Sequence, residues 1–149
     1  MYKLEIELVP KGAWFKNLRS FLTRSQWDKI RKSVYKKAHY KCEICGGRGH
    51  SHPVECHEVW SFEEGKIRLI GLIALCPQCH QAKHCGLANI RGKGEEVIRH
   101  LMKVNDIHRK EAEKQVEDAF ALWRERNKTE YWELDVDWLY AYLEDLNNG

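Results

Sequence analysis

Between residues 2 and 8, apolar Tyr2, Leu4, Ile6 and Leu8 alternate with Lys3, Glu5 and Glu7. That period of two predicts a half-buried strand, which Pro10 ends. Residues 11–23 show no clear period, although Trp14, Phe15, Leu18, Phe21 and Leu22 need somewhere to pack. Ser25 followed by Asp28 predicts a capping box opening a helix that runs to about residue 38. Its apolar stripe is Trp27, Ile30 and Val34. Residues 53–61 and 66–75 read as two strands of a hairpin joined through Phe62-Glu-Glu-Gly65. Pro77 suits a first helical turn, so residues 78–84 predict a short helix. Helical stripes return at residues 95–104 (Val97, Ile98, Leu101, Met102) and 107–126 (Ala112, Val116, Ala119, Phe120, Trp123). Residues 131–136 predict a short strand that would pair with the N-terminal one, and residues 138–146 a last helix. No repeat or low-complexity tract interrupts the chain.

Composition narrows the class. Of 149 residues, 43% are hydrophobic and 32% charged, which excludes disorder by composition. No apolar run is long enough to span a bilayer, and Lys3, Glu5 and Glu7 break any signal-peptide pattern, so a cytoplasmic protein without a membrane partner is expected. The net charge of +3 hides a strong asymmetry: residues 1–41 carry +8, residues 42–94 +1 and residues 95–149 −6. A basic front of this kind is suited to phosphate. Its candidates are Arg24, Lys29, Arg31, Lys32, Lys36 and Lys37, joined later in the chain by Arg48, Lys83 and Arg91.

Four of the six cysteines form two Cys-x-x-Cys hooks, Cys42/Cys45 and Cys76/Cys79. Two such hooks supply the four thiolates of a closed structural zinc site, and the hairpin between them closes the loop. Gly46 and Gly47 let backbone amides turn toward the sulfurs. Thiol redox chemistry is the poorer reading, because neither hook sits in a βαβ setting. His80 and His84 are spaced i, i+4 and project from one helix face. With His57 on the first hairpin strand they make a second, all-imidazole set that could hold another divalent ion.

The order Cys42-x-x-Cys45, Val54-Glu-Cys-His-Glu-Val59, Gly71-Leu-Ile-Ala-Leu-Cys-Pro-Gln-Cys-His80 and Lys83-His84 resembles the His-Asn-His (HNH) endonucleases, including bacterial and phage members. The resemblance covers residues 42–85. It implies an α+β fold with a ββα-metal (His-Me finger) core over residues 42–92, bearing the zinc knuckle. A basic strand and helix (residues 1–41) and a helical extension (residues 93–149) would flank that core. It further implies a metal-dependent nuclease that hydrolyses DNA phosphodiesters, RNA being left open, with His57, His80 and His84 on a catalytic Mg²⁺, Mn²⁺, Zn²⁺ or Ni²⁺ ion. Whether two copies pair as a homodimer is left open. In the register that preserves the hydrophobic positions, His57 is a ligand and Glu58 the general base. In the register shifted by one, Cys56 is a ligand and His57 the base. Gly71 stands where the family has its central Asn, and Arg68 and Asn89 are candidates to replace that side chain. The rival reading is a zinc-stapled nucleic-acid-binding module in which cleavage is weak or lost.

Overall fold

The computed structural model describes residues 2–13 and 18–149. The packing expected of Trp14 and Phe15 lies outside these residues. The fold is mixed α+β: a three-stranded sheet with helices around it. Helix α1 (Arg24–Lys37) starts two residues earlier than the sequence pattern suggests, because the capping box is Thr23 with Gln26. Gln26 N–H donates to Thr23 Oγ1 at 3.1 Å, and Thr23 N–H donates to Gln26 Oε1 at 2.9 Å. Asp28, expected in the cap, instead accepts from Arg31 Nε at 2.9 Å.

Strands β1 (Glu55–Glu63) and β2 (Lys66–Leu75) form the expected antiparallel hairpin, turned by Glu64 and Gly65. The register shifts between Val59 and Trp60, so that Gly71 faces Val59 while Leu69 faces Trp60. The extra residue is Ile70, half exposed. This bulge lets Leu69 bury together with Leu72 against α1 and the last helix. Beyond β2 come α2 (Pro77–Lys83), α3 (Cys85–Ile90), α4 (Gly94–Asn105) and α5 (Arg109–Arg126). Strand β3 (Glu133–Asp135) and helix α6 (Asp137–Asn148) complete the chain.

Alternation along the hairpin sorts its two faces. Cys56, Leu72 and Ala74 pack toward α1 and α6, with Val34, Val54 and Tyr142. Ile73 and Leu75 pack toward α2, α4 and α5, with Cys79, Ala82, Leu101 and Ala112. The hairpin is thus the middle layer between two helical groups. No helix among the described residues is long and apolar enough to cross a membrane.

Two expectations fail at the chain ends. Residues 2–8 are not a strand. Leu4 N–H donates to Asn105 Oδ1 at 2.8 Å, while Asn105 Nδ2 and Gln115 Nε2 donate to the Leu4 carbonyl at 2.9 and 2.7 Å. Trp123 Nε1 donates to the Val9 carbonyl at 3.1 Å. Side chains of α4 and α5 thereby satisfy backbone groups that a sheet neighbour would otherwise take. With no N-terminal strand to pair with, β3 adds in parallel to β2, Ile67 opposite Leu134. Lys66 and Arg68 of β2 fix this edge through Asp135, with Arg68 Nε at 3.2 Å from its carboxylate.

Candidate metal centres

The first centre starts at the end of α1. The chain turns through His39 and Tyr40, both in the left-handed region, and enters the knuckle at Cys42. Gly46 has φ +77°, a conformation that L side chains rarely adopt. Cys42 and Cys45 meet Cys76, which caps α2, and Cys79 in its first turn. The Sγ atoms of Cys45 and Cys76 are 3.6 Å apart. Tetrahedral zinc with Zn–S bonds of about 2.3 Å spaces its sulfurs by about 3.8 Å, so the cluster is the right size.

Cys45 N–H donates to Cys42 Sγ, Gly47 N–H to Cys45 Sγ and Cys79 N–H to Cys76 Sγ, each at 3.4 Å. The hydrogen bond from the Cys79 thiol holds Cys42 down at about 4, while that same bond and burial push Cys79 far up. Burial also raises Cys76 to about 11. Four crowded thiols cannot all ionise next to one another, and a divalent cation removes that conflict. The donor set therefore fits a structural metal ion such as zinc.

The second centre lies on the same helix. His80 and His84 project from α2 toward His57 on β1, with ring centroids 5.1 Å (His57–His80), 5.3 Å (His57–His84) and 4.8 Å (His80–His84) apart. One ligand atom from each lies within 4.8 Å of the others. The Nε2 atoms of His80 and His84 are 3.2 Å apart, a spacing compatible with two nitrogens on one ion at about 2.0–2.1 Å each. His57 is only 7% exposed, and its buried Nδ1 has no hydrogen-bond partner.

Burial, then His80, His84 and Lys83, pull His57 down to about 2. Burial, then His80, lower His84 to about 4, although the outer edge of its ring meets solvent. Both rings are neutral at neutral pH and keep lone pairs available for a metal. An orphaned imidazole nitrogen close to two further imidazoles fits a divalent ion.

Sequence spacing does not single out Glu55. Its Oε1 lies 2.7 Å from His80 Nδ1 and its Oε2 2.6 Å from His52 Nε2. An ionised carboxylate only accepts, so His80 donates from Nδ1 and its Nε2 is the nitrogen that faces His84. Burial would raise the Glu55 carboxyl, but the bonds from His80 and His52 outweigh it and hold it below the usual range. One sequence signal does point to it: Glu55 stands two residues before His57 and shares its face of β1.

The other candidates are scattered. Glu58 Oε2 is 3.8 Å from His57 Nδ1, outside hydrogen-bond range. Cys56 points to the opposite face, against α1 and α6, where burial and then Glu58 push its thiol to about 12; it is not brought to the histidines. Gly71 sits at the bulge, where an added Cβ would meet nothing within 4 Å. Of the two further candidates, Arg68 is held by Asp135 and Glu63, and Asn89 lies against Gly94.

The basic set is divided as well. Arg24, Lys29, Arg31, Lys32, Lys36 and Lys37 all ride on α1, across the hairpin from the imidazoles. Lys29 donates to Asn147 Oδ1 at 2.6 Å, and Lys37 Nζ sits 4.6 Å from the Tyr142 ring centroid. Arg48 donates to the His39 carbonyl at 3.3 Å. Lys83 is half-buried near Glu7 and Glu5, and burial lowers its ammonium against the pull of both carboxylates. Arg91 alone of the set lines an open cleft together with His80 and His84.

No protein-family model, curated protein or solved structure matches this chain.

Proposed function

We propose that the chain is a metal-dependent endonuclease that hydrolyses DNA phosphodiester bonds, with the hairpin and α2 acting as a ββα-metal core of HNH type. One observation carries this reading: three imidazoles, one with a buried unpartnered nitrogen, converge at a solvent-facing edge apart from the thiolate cluster. An imidazole site with an open side suits chemistry, whereas a site whose four thiolates already fill a tetrahedron suits structure.

His57, His80 and His84 would hold the ion. When bound, a divalent ion polarises a phosphate oxygen and stabilises the charge that builds on the leaving oxygen. Glu58, with Oε2 3.8 Å from His57 Nδ1, would take a proton from the attacking water. Glu55 fixes the tautomer of His80, and Lys and Arg side chains position phosphates without reading sequence.

A second reading, a zinc-stapled binding module without cleavage, is favoured by Gly71, which leaves open space where the family carries an amide. Nicking of supercoiled plasmid with Mg²⁺, Mn²⁺, Zn²⁺ or Ni²⁺ separates the two. The endonuclease reading expects metal-dependent nicking that His84→Ala and Glu58→Gln both abolish. DNA binding with no nicking under any metal establishes the module. Nicking that survives in both variants comes from a contaminant.

A further inference from the structure

An open cleft of about 490 Å³ runs beside the imidazole site, between α2, α3 and the start of α4. Its near wall is formed by His80 and His84, and its far wall by Leu87 and Arg91. Two carboxylates reach it, and both are occupied. Glu55 is held by His52 and His80, and Glu96 lies 3.4 Å from Lys93 Nζ. The Arg91 guanidinium has no hydrogen bond or ion pair among the described residues. Leu87 leaves 48% of its surface exposed at the rim.

We infer that this cleft is a nucleotide subsite, in which Arg91 holds the phosphate flanking the bond that faces the imidazoles and Leu87 packs against the base. The inference rests on the endonuclease reading. A guanidinium presents a planar fork of donors suited to a phosphate, and the apolar rim next to it suits an aromatic ring rather than a bare inorganic ion. The volume falls in the range of small-molecule sites.

The test compares two phosphodiesters on the metal-loaded protein: a short single-stranded oligonucleotide, and methyl p-nitrophenyl phosphate, which carries no base or second phosphate. Arg91→Ala is expected to raise KM for the oligonucleotide about tenfold, with Arg91→Lys recovering part. Metal content and turnover of the small diester stay unchanged. A parallel loss on both diesters, or no change on the oligonucleotide, overturns the subsite. If the parent cuts neither diester, the endonuclease reading fails by itself. Anisotropy of a labelled oligonucleotide then decides the subsite: weaker binding by Arg91→Ala supports it, and equal binding overturns it.

At the thiolate cluster the four sulfurs do not share one kind of donor. Cys42, Cys45 and Cys76 each accept a backbone N–H from within their own hook. Cys79, the most buried, has His100 Nε2 from α4 at 3.1 Å from its Sγ. We propose that His100 donates to the Cys79 thiolate and is a positioning residue of the metal site, so that α4 guards the fourth ligand. Charge-assisted donors of this kind hold a ligand's electron density and orientation.

Zinc transfer to a chromophoric chelator, with iodoacetamide mapping of the cysteines, reads this out. His100→Ala is expected to speed release about tenfold and raise the alkylation of Cys79 above its level in the parent, with His100→Gln restoring slower release through its amide N–H. Unchanged release from folded His100→Ala protein, or a Gln variant as fast as the Ala variant, overturns the assignment.

Discussion

The thiolate and imidazole clusters share one helix of seven residues yet are built on opposite principles. Cys76 and Cys79 open α2, and His80 and His84 close it; the neighbours Cys79 and His80 point to different sides. On the thiolate side Cys42, Cys76 and Cys79 are buried and Cys45 is exposed, and each sulfur is approached by a donor. On the imidazole side only His57 is buried, a carboxylate steadies His80 from behind, and the front is open. The same hairpin-and-helix framework thus carries one cluster that is largely enclosed and another that is open on one side.

The largest effect should come from the closed site. Cys79→Ser replaces a buried thiolate with an oxygen that zinc accepts poorly, and structural zinc contributes on the order of 10 kcal/mol or more to folding. Purified parent protein should carry tightly held zinc by elemental analysis, while Cys79→Ser or Cys42→Ser should lose it and unfold residues 42–85. A serine variant that melts like a zinc-free parent would break the comparison at its base.

The open site should respond in the reverse manner. His84→Ala removes a side chain with an exposed edge, so melting and thiolate zinc should stay at parent levels while plasmid nicking is lost. If His84→Ala costs stability as heavily as a cysteine variant, the imidazoles are structural and the contrast between the clusters disappears.

A smaller and more specific effect is expected at Glu55. Glu55→Gln offers one acceptor oxygen where His52 and His80 now use two, so the His80 ring is held less well. Outer-shell partners of metal-bound histidines are typically worth about 10–100-fold in affinity. Calorimetric titration of Mn²⁺ into protein already loaded with zinc should show that weakening with no change at the thiolates. Glu58→Gln should leave this affinity alone and lower only nicking, which separates a ligand's support from a base.

What is legible in the sequence follows from local spacing. The hooks, the i, i+4 histidines and the hairpin each declare themselves within a few residues, and their elements form close to where the pattern puts them. What is illegible depends on distant partners. Alternation at residues 2–8 says which side chains are buried but not what satisfies the backbone, and the amides of Asn105 and Gln115 take that place. Helix α3 gives no signal because Leu87 and Ile90 are exposed and leave it without an amphipathic stripe. His100 meets Cys79 from 21 residues away, on a helix whose apolar stripe marks only core positions. The ββα-metal assignment itself rests on motif order, which fixes sequence neighbours rather than chemistry.

The mildest effect concerns which side of the hairpin a nucleic acid would use. The α1 cations lie across the sheet from the imidazoles, and several already have partners within the protein: Lys29 with Asn147, Arg31 with Asp28, Lys37 over Tyr142. Lys32 and Lys36 are the cleaner probes, since reversing Lys37 would also disturb its packing on α6. If α1 tracks phosphate, Lys32→Glu with Lys36→Glu should weaken DNA binding several-fold. The slope of log K against log salt should flatten by about 0.9 for each phosphate no longer neutralised. Metal content and melting should not move. If the salt slope is unchanged while Arg91→Ala alters it, the strand runs along the cleft side only. The basic first third of the chain would then serve solubility or a protein partner, and nucleic-acid contact would belong to the layer that carries the open metal site.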